Sequence, residues 1–406
     1  MGEPTKFALR RVRVLDGRGG RLERQTILID GSRIRAVGPS RITTVPRGYT
    51  DLDVGGLTVL PGLIDCHVHL CLGAEPDVVD ALERETPSET LLKASQMARQ
   101  TIDAGFTTVR DVGARDHSIF SLKRAIEKGL TRGPRIVGAG LAICMIGGHA
   151  RFIGREIEGP DQAREVVRAQ IAAGAEVIKV IASGGVLTPG TSPDQAQLTD
   201  DELAAAVDEA GRAGRKVAAH AHGATGIKNA VRAGVHSIEH ATLMDDESAT
   251  LMGRHGVYMV PTLSALATTA ACRRGCGIPE SALDKAKAMT KRHQVSFREA
   301  HRRQLPIAMG TDAGTPFNVH GENAQELERM VALGMSPMEA IVSATTKAAD
   351  LIGLADVIGS VEPGKEADLL VIDGDPSKKV AYVRDRARLL AVIQRGRVVS
   401  GALAER

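Results

Sequence analysis

Tryptophan is absent from this chain of 406 residues, and aromatic residues make up only 2% of it. Proteins that bind single-stranded nucleic acid stack the bases on aromatic side chains, so this composition argues against that class. Neither sign of charge dominates, because the formal net charge is +3 and the basic residues are interspersed with acidic ones. A chain without a basic tract lacks the electrostatic signature of DNA or RNA binding. The sequence therefore predicts no nucleic-acid partner.

Long apolar runs are also missing. No stretch reaches the ~18 apolar residues of a membrane span, and residues 1–7 lack the apolar run of a signal peptide. The five cysteines are odd in number and follow no disulfide framework, so we expect reduced thiols, with Cys272 and Cys276 as ordinary thiols and not a metal pair. These features predict a cytoplasmic protein that does not associate with membranes.

The chain does contain a repeated alternation of apolar runs and amphipathic helical stretches. The eight apolar runs span residues 57–70, 105–113, 134–144, 176–185, 216–223, 235–241, 257–264 and 306–314. Helix candidates lie between them, such as residues 89–104, 117–129, 162–173, 200–213 and 284–304. Such alternation produces right-handed βαβ units and a parallel sheet. Eight units favour a closed barrel over an open sheet.

Both ends of the chain have a different pattern, with short β-like pieces separated by turns. These pieces are residues 7–15, 25–30, 33–37, 367–372, 389–393 and 397–400, and a helix is expected at residues 337–352. Neither end can easily form a stable sheet alone. The sequence therefore predicts an α/β protein, with a (β/α)8 TIM barrel of residues 61–355 and a small composite β-sandwich domain of residues 1–60 and 356–406.

Functional residues of such a barrel lie at the C-terminal ends of its strands. His67 and His69 end the first apolar run, and residues two apart on a strand project from the same face, which aims two imidazoles at one point. Imidazole is a favoured ligand of zinc and related metals. The other candidates at or near strand ends are Arg110, Asp111, His149, Lys179, His220, His222, His240 and Asp312.

Lys179 interrupts an apolar run that should be buried on both faces. A buried ammonium without a partner is strongly disfavoured. Three alternatives are open: the amine reaches solvent, it forms a Schiff base, or carbon dioxide converts it into a carbamate that bridges two metal ions. The histidines and the aspartate predicted at the same rim favour the carbamate, because two nearby dications would stabilise its charge.

Seven motifs occur in a characteristic order along almost the whole chain. They are PGLIDCHVH (61–69), GFTTVRD (105–111), VIKVIASGG (177–185), AHAHG (219–223), SIEH (237–240), GTDAG (310–314) and PGKEADL (363–369). This ordered set resembles the amidohydrolase superfamily, to which the imidazolonepropionases belong. The likeness is strongest to its prolidase-like branch, whose members cleave aminoacyl dipeptides or related amides such as ochratoxin.

The resemblance implies two divalent metal ions, with zinc as the expected occupant. His67, His69 and Asp312 would hold one ion, His220 and His240 would hold the other, and carboxylated Lys179 would bridge both together with a hydroxide. Attack of that hydroxide on an amide carbonyl would hydrolyse the C–N bond. Asp312 would accept the proton of the nucleophile and pass it to the departing amine. Relatives of this kind are commonly homo-oligomers.

Three further residues are candidates for substrate contact. His222 departs from the branch, which tends to carry a tyrosine at this position; its imidazole would donate to the substrate oxyanion or would support the metal ligands. His149, on a Gly-rich loop, would contact substrate or be an ordinary loop histidine. Arg151 would grip a substrate carboxylate, as would its neighbour Arg155, unless both are solvated surface residues.

The sequence thus predicts a binuclear metal-dependent amidohydrolase of a small peptide-like or N-acyl amino acid amide. A hydrolase of carbamates, aryl ureas or cyclic amides on the same metals is the alternative. A non-catalytic scaffold would lack some ligands, and here none is missing. A pyridoxal phosphate enzyme that uses Lys179 is a further alternative, which the absorbance of an internal aldimine would reveal.

Overall fold

A computed structural model describes residues 6–403 of the chain. Its strands are β1 (Lys6–Leu15), β2 (Arg21–Asp30), β3 (Arg33–Pro39), β4 (Thr50–Asp53), β5 (Thr58–Pro61), β6 (Leu63–Val68), β7 (Phe106–Asp111), β8 (Arg135–Gly138), β9 (Ala142–Met145), β10 (Gly154–Ile157), β11 (Val177–Ile181), β12 (Lys216–Gly223), β13 (Ser237–Leu243), β14 (Tyr258–Val260), β15 (Leu369–Ile372), β16 (Leu389–Gln394) and β17 (Arg397–Gly401).

Twelve α-helices occur among the described residues. They are α1 (Val78–Arg84), α2 (Pro87–Asp103), α3 (Ser118–Glu127), α4 (Gly159–Ala173), α5 (Asp200–Arg212), α6 (Ala224–Ala233), α7 (Asp246–His255), α8 (Leu263–Ala271), α9 (Glu280–Arg302), α10 (Gln325–Ala332), α11 (Pro337–Ser343) and α12 (Thr346–Leu351). Short 3-10 helices occur at Arg151–Ile153 and Val380–Val383. Within residues 6–403, no helix is both long enough and apolar enough to cross a membrane.

The parallel strands between β6 and β14 form the barrel, and the predicted fold class is confirmed. One sheet has the order β6-β7-β8 and another β10-β9-β11-β12-β13-β14. The third predicted strand is split into β8 and β9, which both contribute to the wall. The eighth run, residues 306–314, forms only isolated bridges, yet it closes the barrel: Ala308 N donates to Met259 O at 3.0 Å, and Cys66 N donates to Met309 O at 2.9 Å.

The strands of the two chain ends are hydrogen-bonded into one eight-stranded sheet, with the order β17-β16-β15-β5-β1-β2-β3 and β4 beside β1. Alternate residues of β15 face opposite ways, as the twofold period of a strand requires. Leu369 and Val371 join a core formed by the sheet itself, whereas Leu370 and Ile372 join the core of the barrel. One face of the sheet therefore packs against the barrel.

Two local predictions differ from the structure. The helix expected at residues 337–352 is divided into α11 and α12 around Thr345, whose backbone is non-helical (φ −129°, ψ −97°) and whose hydroxyl donates to Ile341 O at 2.7 Å. The prediction that all cysteines are free thiols is wrong, because a disulfide joins Cys272 and Cys276. The loop between α8 and α9 brings their Cα atoms to 6.3 Å, a separation that suits a disulfide.

Candidate active site

The first group of candidate ligands lies where β6 meets the segment that closes the barrel. The Nε2 atoms of His67 and His69 lie 3.3 Å and 3.2 Å from Asp312 Oδ1. The candidate ligand atoms of these three residues lie within 4.8 Å of one another. Asp312 N also donates to His67 O at 2.7 Å, so the backbone ties the aspartate to the His-x-His strand.

The second group consists of His220 and His222 from the end of β12 and His240 from β13. His240 Nε2 lies 2.9 Å from His220 Nδ1, and the rings of His222 and His240 stack with centroids 4.6 Å apart. The two groups are adjacent, because the ring centroids of His67 and His240 are 5.1 Å apart. The strand ends therefore bring five histidines and an aspartate to one place.

The outward-facing nitrogen of each of these rings has a hydrogen-bond partner. The pairs are His67 Nδ1 with Glu239 Oε2 (2.8 Å), His69 Nδ1 with Gly113 O (2.8 Å), His220 Nε2 with Gly184 O (3.2 Å), His222 Nδ1 with Thr242 Oγ1 (2.8 Å) and His240 Nδ1 with Thr262 Oγ1 (2.6 Å). Partners of this kind fix the tautomer and the orientation of metal-binding histidines. The remaining nitrogen of each ring is left to face the centre.

Backbone strain helps to aim these side chains. His240, Thr262 and Asp312 have positive φ angles of 74°, 51° and 62°. Residues other than glycine adopt this left-handed region at an energetic cost, and such residues cluster at functional sites. At His240 the distortion breaks the alternation of β13, so that Glu239 and His240, although adjacent in sequence, both contact side chains of the site.

Lys179 projects from β11 into the same cavity as both ligand groups. The residue is only 3% exposed, and its Nζ atom has no hydrogen-bond partner among the residues that the structure describes. Burial lowers the pKa of the amine to about 8. An amine of this kind is neutral far more often at pH 7 than an exposed lysine. It is the one candidate ligand whose polar atom is unsatisfied within the described chain.

A buried ion pair supports the first ligand group. Arg110 donates to Glu239 Oε1 at 2.8 Å and to Cys66 O at 2.6 Å, and the other oxygen of Glu239 contacts His67. Burial opposes the ionisation of Glu239, but Arg110 and then His67 outweigh it and hold its pKa at about 2. The motif SIEH contains Glu239, yet its role was missed, since a regular strand would point it away from His240.

We expect the substitution Glu239→Gln to destabilise the fold by about 3 kcal/mol, because it leaves the Arg110 charge buried without a counter-charge. It should also let the His67 ring turn. Urea unfolding followed by circular dichroism measures the loss. Glu366→Gln is the matched control, since Arg135, the partner of Glu366, keeps a second carboxylate partner in Asp368 at 2.9 Å, and the loss should be about 1 kcal/mol or less. Equal losses in the two variants would contradict the role of Glu239.

Both ligand groups and Lys179 line a cavity of about 70 Å³. The other polar lining residues are His149, Thr269 and Thr315, and the apolar ones are Leu72, Val112, Ala142, Ala150, Phe152, Ile153, Ile181, Val186, Leu187, Ala265 and Leu266. Of the residues predicted from sequence, His67, His69, His149, Lys179, His220, His222, His240 and Asp312 therefore share one cavity. Arg151 is exposed and does not line it, and Arg155 is exposed on β10.

His149 is held beside the second ligand group. Its Nδ1 lies 2.8 Å from Thr188 Oγ1, and its ring centroid is 4.5 Å from that of His220. Burial lowers its pKa to about 3, so the ring is neutral. A Cβ atom at Gly185 would lie 2.2 Å from His149 Nε2, so glycine is required there for the ring to occupy this position.

The donor set fits divalent transition metals. Burial and the neighbouring rings lower the pKa values of His220, His222 and His240 well below the ordinary value, which keeps these imidazoles in the neutral form that binds metals. Burial opposes the ionisation of Asp312, but His67 and His69 lower its pKa and keep the carboxylate charged. Imidazole nitrogens and carboxylate oxygens are both favoured ligands of zinc. The amine of Lys179, which has no hydrogen-bond partner among the described residues, is available in the same cavity to form a further ligand.

A (β/α)8 barrel that gathers histidines, an aspartate and a lysine at the C-terminal ends of its strands is typical of hydrolases. Residues 58–399 match the amidohydrolase family, and the chain belongs to that family. This confirms the resemblance seen in the motifs. The protein is a hydrolase that acts on C–N bonds.

Individual relatives agree with this assignment. Ochratoxinase from Aspergillus niger is 28% identical over 421 aligned residues, which cover 96% of this chain and 85% of that protein. The crystal structure of a Xaa-Pro dipeptidase with methionine bound in its active site is 36% identical, with a TM-score of 0.91, and the match covers 98% of this chain and 100% of that one. Imidazolonepropionase from Rubrobacter xylanophilus is 24% identical over 91% of this chain and 90% of its own.

Proposed function

We propose that this chain hydrolyses the amide bond of a small substrate at a centre of two divalent metal ions. His67, His69 and Asp312 would hold one ion, His220 and His240 would hold the other, and carboxylated Lys179 would bridge them. The observation that carries the proposal is the buried Lys179 amine, which has no hydrogen-bond partner within residues 6–403 and lies in the same cavity as both ligand groups. Bound ions, most simply zinc, would supply an activated water molecule and polarise the scissile carbonyl.

The environment of Lys179 supports its carboxylation. The neutral amine attacks carbon dioxide, forms a N–C bond and releases one proton, which leaves a carbamate anion. Burial disfavours the ammonium form, so about a tenth of the amine is in the neutral, reactive form at pH 7. The carbamate would place oxygen ligands in the cavity, where the amine alone has no partner in the part of the chain that the structure describes.

The rate at which metal-free protein recovers activity with carbon dioxide and zinc should report the state of Lys179. Below its pKa of about 8 the neutral fraction rises with pH, so we expect roughly a tenfold faster recovery from pH 6 to 7 at fixed carbon dioxide pressure, and a plateau above pH 8. Reconstitution mixtures that are sampled at successive times and assayed for activity at each pH measure this rate. A recovery rate that is independent of pH and of carbon dioxide would argue against carboxylation.

The residues around the scissile bond have separate tasks. Asp312 is ionised and can accept a proton from the attacking water, then return it to the departing amine. His222 can donate a hydrogen bond to the oxyanion if the Thr242 hydroxyl donates to its Nδ1, because Nε2 then carries the proton. In the opposite tautomer, His222 would be a third nitrogen ligand of its group.

The substrate is a small amide. The similarity of this chain to a Xaa-Pro dipeptidase and to ochratoxinase supports dipeptides and N-acyl amino acids, including ochratoxin-like amides, as its substrates. Carbamates, aryl ureas and cyclic amides are the alternative substrates for the same metal centre. Metal analysis of the purified protein, combined with a hydrolysis screen across these classes, tests the proposal. We expect two equivalents of metal and turnover of at least one class; a metal-replete protein that cleaves no C–N bond would refute it.

A further inference from the structure

One face of helix α9 donates hydrogen bonds to the backbone around the second ligand group. Lys285, Met289, His293 and Ser296 follow one another at intervals of four, four and three residues, which places them on the same side of the helix. This side packs against the barrel, because His293 and Ser296 are buried and Lys285 is half-buried. The three polar side chains all donate to carbonyl oxygens outside their own helix.

Two of these carbonyl acceptors lie on the distorted end of β13. Pairing of β13 with β14 ends one residue before His240, and its pairing with β12 shifts register after His240. The carbonyl of His240 accepts from His293 Nε2 at 3.1 Å, so this nitrogen carries the ring proton. The carbonyl of Thr242, whose hydroxyl contacts His222, accepts from Ser296 Oγ at 2.8 Å. Side chains of α9 therefore take the place of a neighbouring strand beside His240.

The other acceptors lie on the loop after β11 (residues 182–199). Lys285 Nζ donates to the carbonyl oxygens of Gly185, Thr188 and Thr191, at 3.2, 3.2 and 2.6 Å. An ammonium group has three N–H donors, so all of them are used on this loop. The three acceptors are spread over seven residues of chain, and one side chain of α9 thus holds the whole bend of the loop in place.

This loop in turn contacts the second ligand group. Gly184 O accepts from His220 Nε2 at 3.2 Å, which leaves His220 Nδ1 free to bind a metal ion. Ser183 Oγ accepts from His222 N at 2.9 Å. Within residues 6–403, no residue of the first ligand group forms a hydrogen bond with the loop or with α9. The contacts of α9 therefore favour one of the two groups.

We propose that Lys285 and His293 are positioning residues, which orient His220 and His240 through the backbone and thereby set the affinity of the metal ion at the second ligand group. Without Lys285 the loop can shift, and His220 then loses the carbonyl that fixes its ring. Without His293 the carbonyl of His240 is buried and unpaired, which favours another backbone conformation for this strained residue. The inference rests on the proposed function, because it assigns these residues to one ion of that centre.

Zinc titration of the metal-free protein against a competing chelator tests the inference without relying on turnover. Partners behind metal ligands typically contribute about 10–100-fold to metal affinity. We therefore expect Lys285→Met and His293→Leu each to weaken one of the two ions at least about tenfold and to leave the other nearly unchanged. Anomalous scattering at the zinc edge should place the weakened ion beside His220 and His240. Weakening of neither ion, of both alike, or of the ion beside His67 would overturn the inference.

Matched variants separate positioning from packing. His293→Gln keeps an N–H donor on a side chain of similar length, so it should restore most of the affinity that His293→Leu loses. Lys287→Met makes the same change as Lys285→Met on the exposed side of α9, and it should bind both ions as the wild type does. A glutamine variant as weak as His293→Leu, or a Lys287→Met as weak as Lys285→Met, would overturn the inference.

Hydrogen exchange of the metal-free protein keeps the test decisive if His293→Leu fails to fold or if the protein binds no zinc. Lys285 is half-buried, so Lys285→Met should fold. We expect the amides of residues 183–191 to exchange at least about tenfold faster in this variant, and those of β6 to be unaffected. Unchanged exchange in the loop would overturn the inference. A wild-type protein that binds no zinc, with a loop that still loosens in Lys285→Met, would refute the proposed function and support the positioning role.

Discussion

Asp312→Asn should lower kcat by at least ~10³-fold in protein that still holds its metal, which is within the range expected for loss of a general acid-base group. The carboxylate of Asp312 lies 3.3 Å and 3.2 Å from the imidazoles of His67 and His69, which stabilise its ionised form. An amide of the same shape can occupy the site but cannot take up a proton. The proton of the attacking water then has no acceptor, and the departing amine has no donor.

The measurement combines kcat with metal content, because Asp312 is also a candidate ligand. Assays at saturating zinc and elemental analysis of the same sample separate loss of the base from loss of the ion. Asp111→Asn is the matched control. Asp111 is a buried carboxylate at the end of β7 that accepts from Leu70 N at 2.8 Å and does not line the cavity. Near-normal turnover in metal-replete Asp312→Asn would contradict the proton-transfer role.

Lys179→Met should remove at least one of the two metal equivalents and lower kcat/KM by roughly 10³-fold or more, since metal ligation is the source of catalysis in such centres. Methionine fills nearly the same space on β11 but cannot form a carbamate. Its thioether adds no charge, so the metal-free fold should persist and even gain a little stability, because the unmodified amine is buried without a hydrogen bond among the described residues.

Lys216→Met is the control for a lysine-to-methionine change on the neighbouring strand. Lys216 begins β12, at the opposite end from the ligands, and donates to Asp350 O at 2.7 Å. We expect it to keep both metals and full activity. The two variants should therefore differ in metal content, measured by elemental analysis, in activity and in thermal unfolding. If Lys179→Met keeps two metals and wild-type turnover, a bridging carbamate is ruled out.

Local sequence patterns predicted most of the barrel. The runs around β7, β11 and β12 are apolar and short, and β12 begins and ends at the predicted residues 216 and 223. Helices with strong capping signals were also found, such as α5, whose Thr199 and Glu202 form a capping box. The sequence analysis gave no bounds for helices α6, α7 and α8. Of these, α8 is the hardest to recognise, because its sequence LSALATTAA continues an apolar run and lacks polar periodicity.

Local patterns were weakest where a contact joins distant parts of the chain. The partner of His67 is Glu239, 172 residues away, and the partner of His240 is Thr262 on a strained turn. The disulfide between Cys272 and Cys276 depends on the path of a loop. Arg151 is close to His149 in sequence, yet only His149 enters the cavity.

The sequence by itself determined the fold class and the chemical types of residue at the strand ends, because a repeated apolar period and a His-x-His spacing are local properties. Tertiary structure alone decided which nitrogen of each histidine faces the centre and that Lys179 has no partner among the described residues. The physical reason is barrel closure. Hydrogen bonds between strands far apart in sequence, such as that from Asp312 N to His67 O, select the side chains that share the cavity.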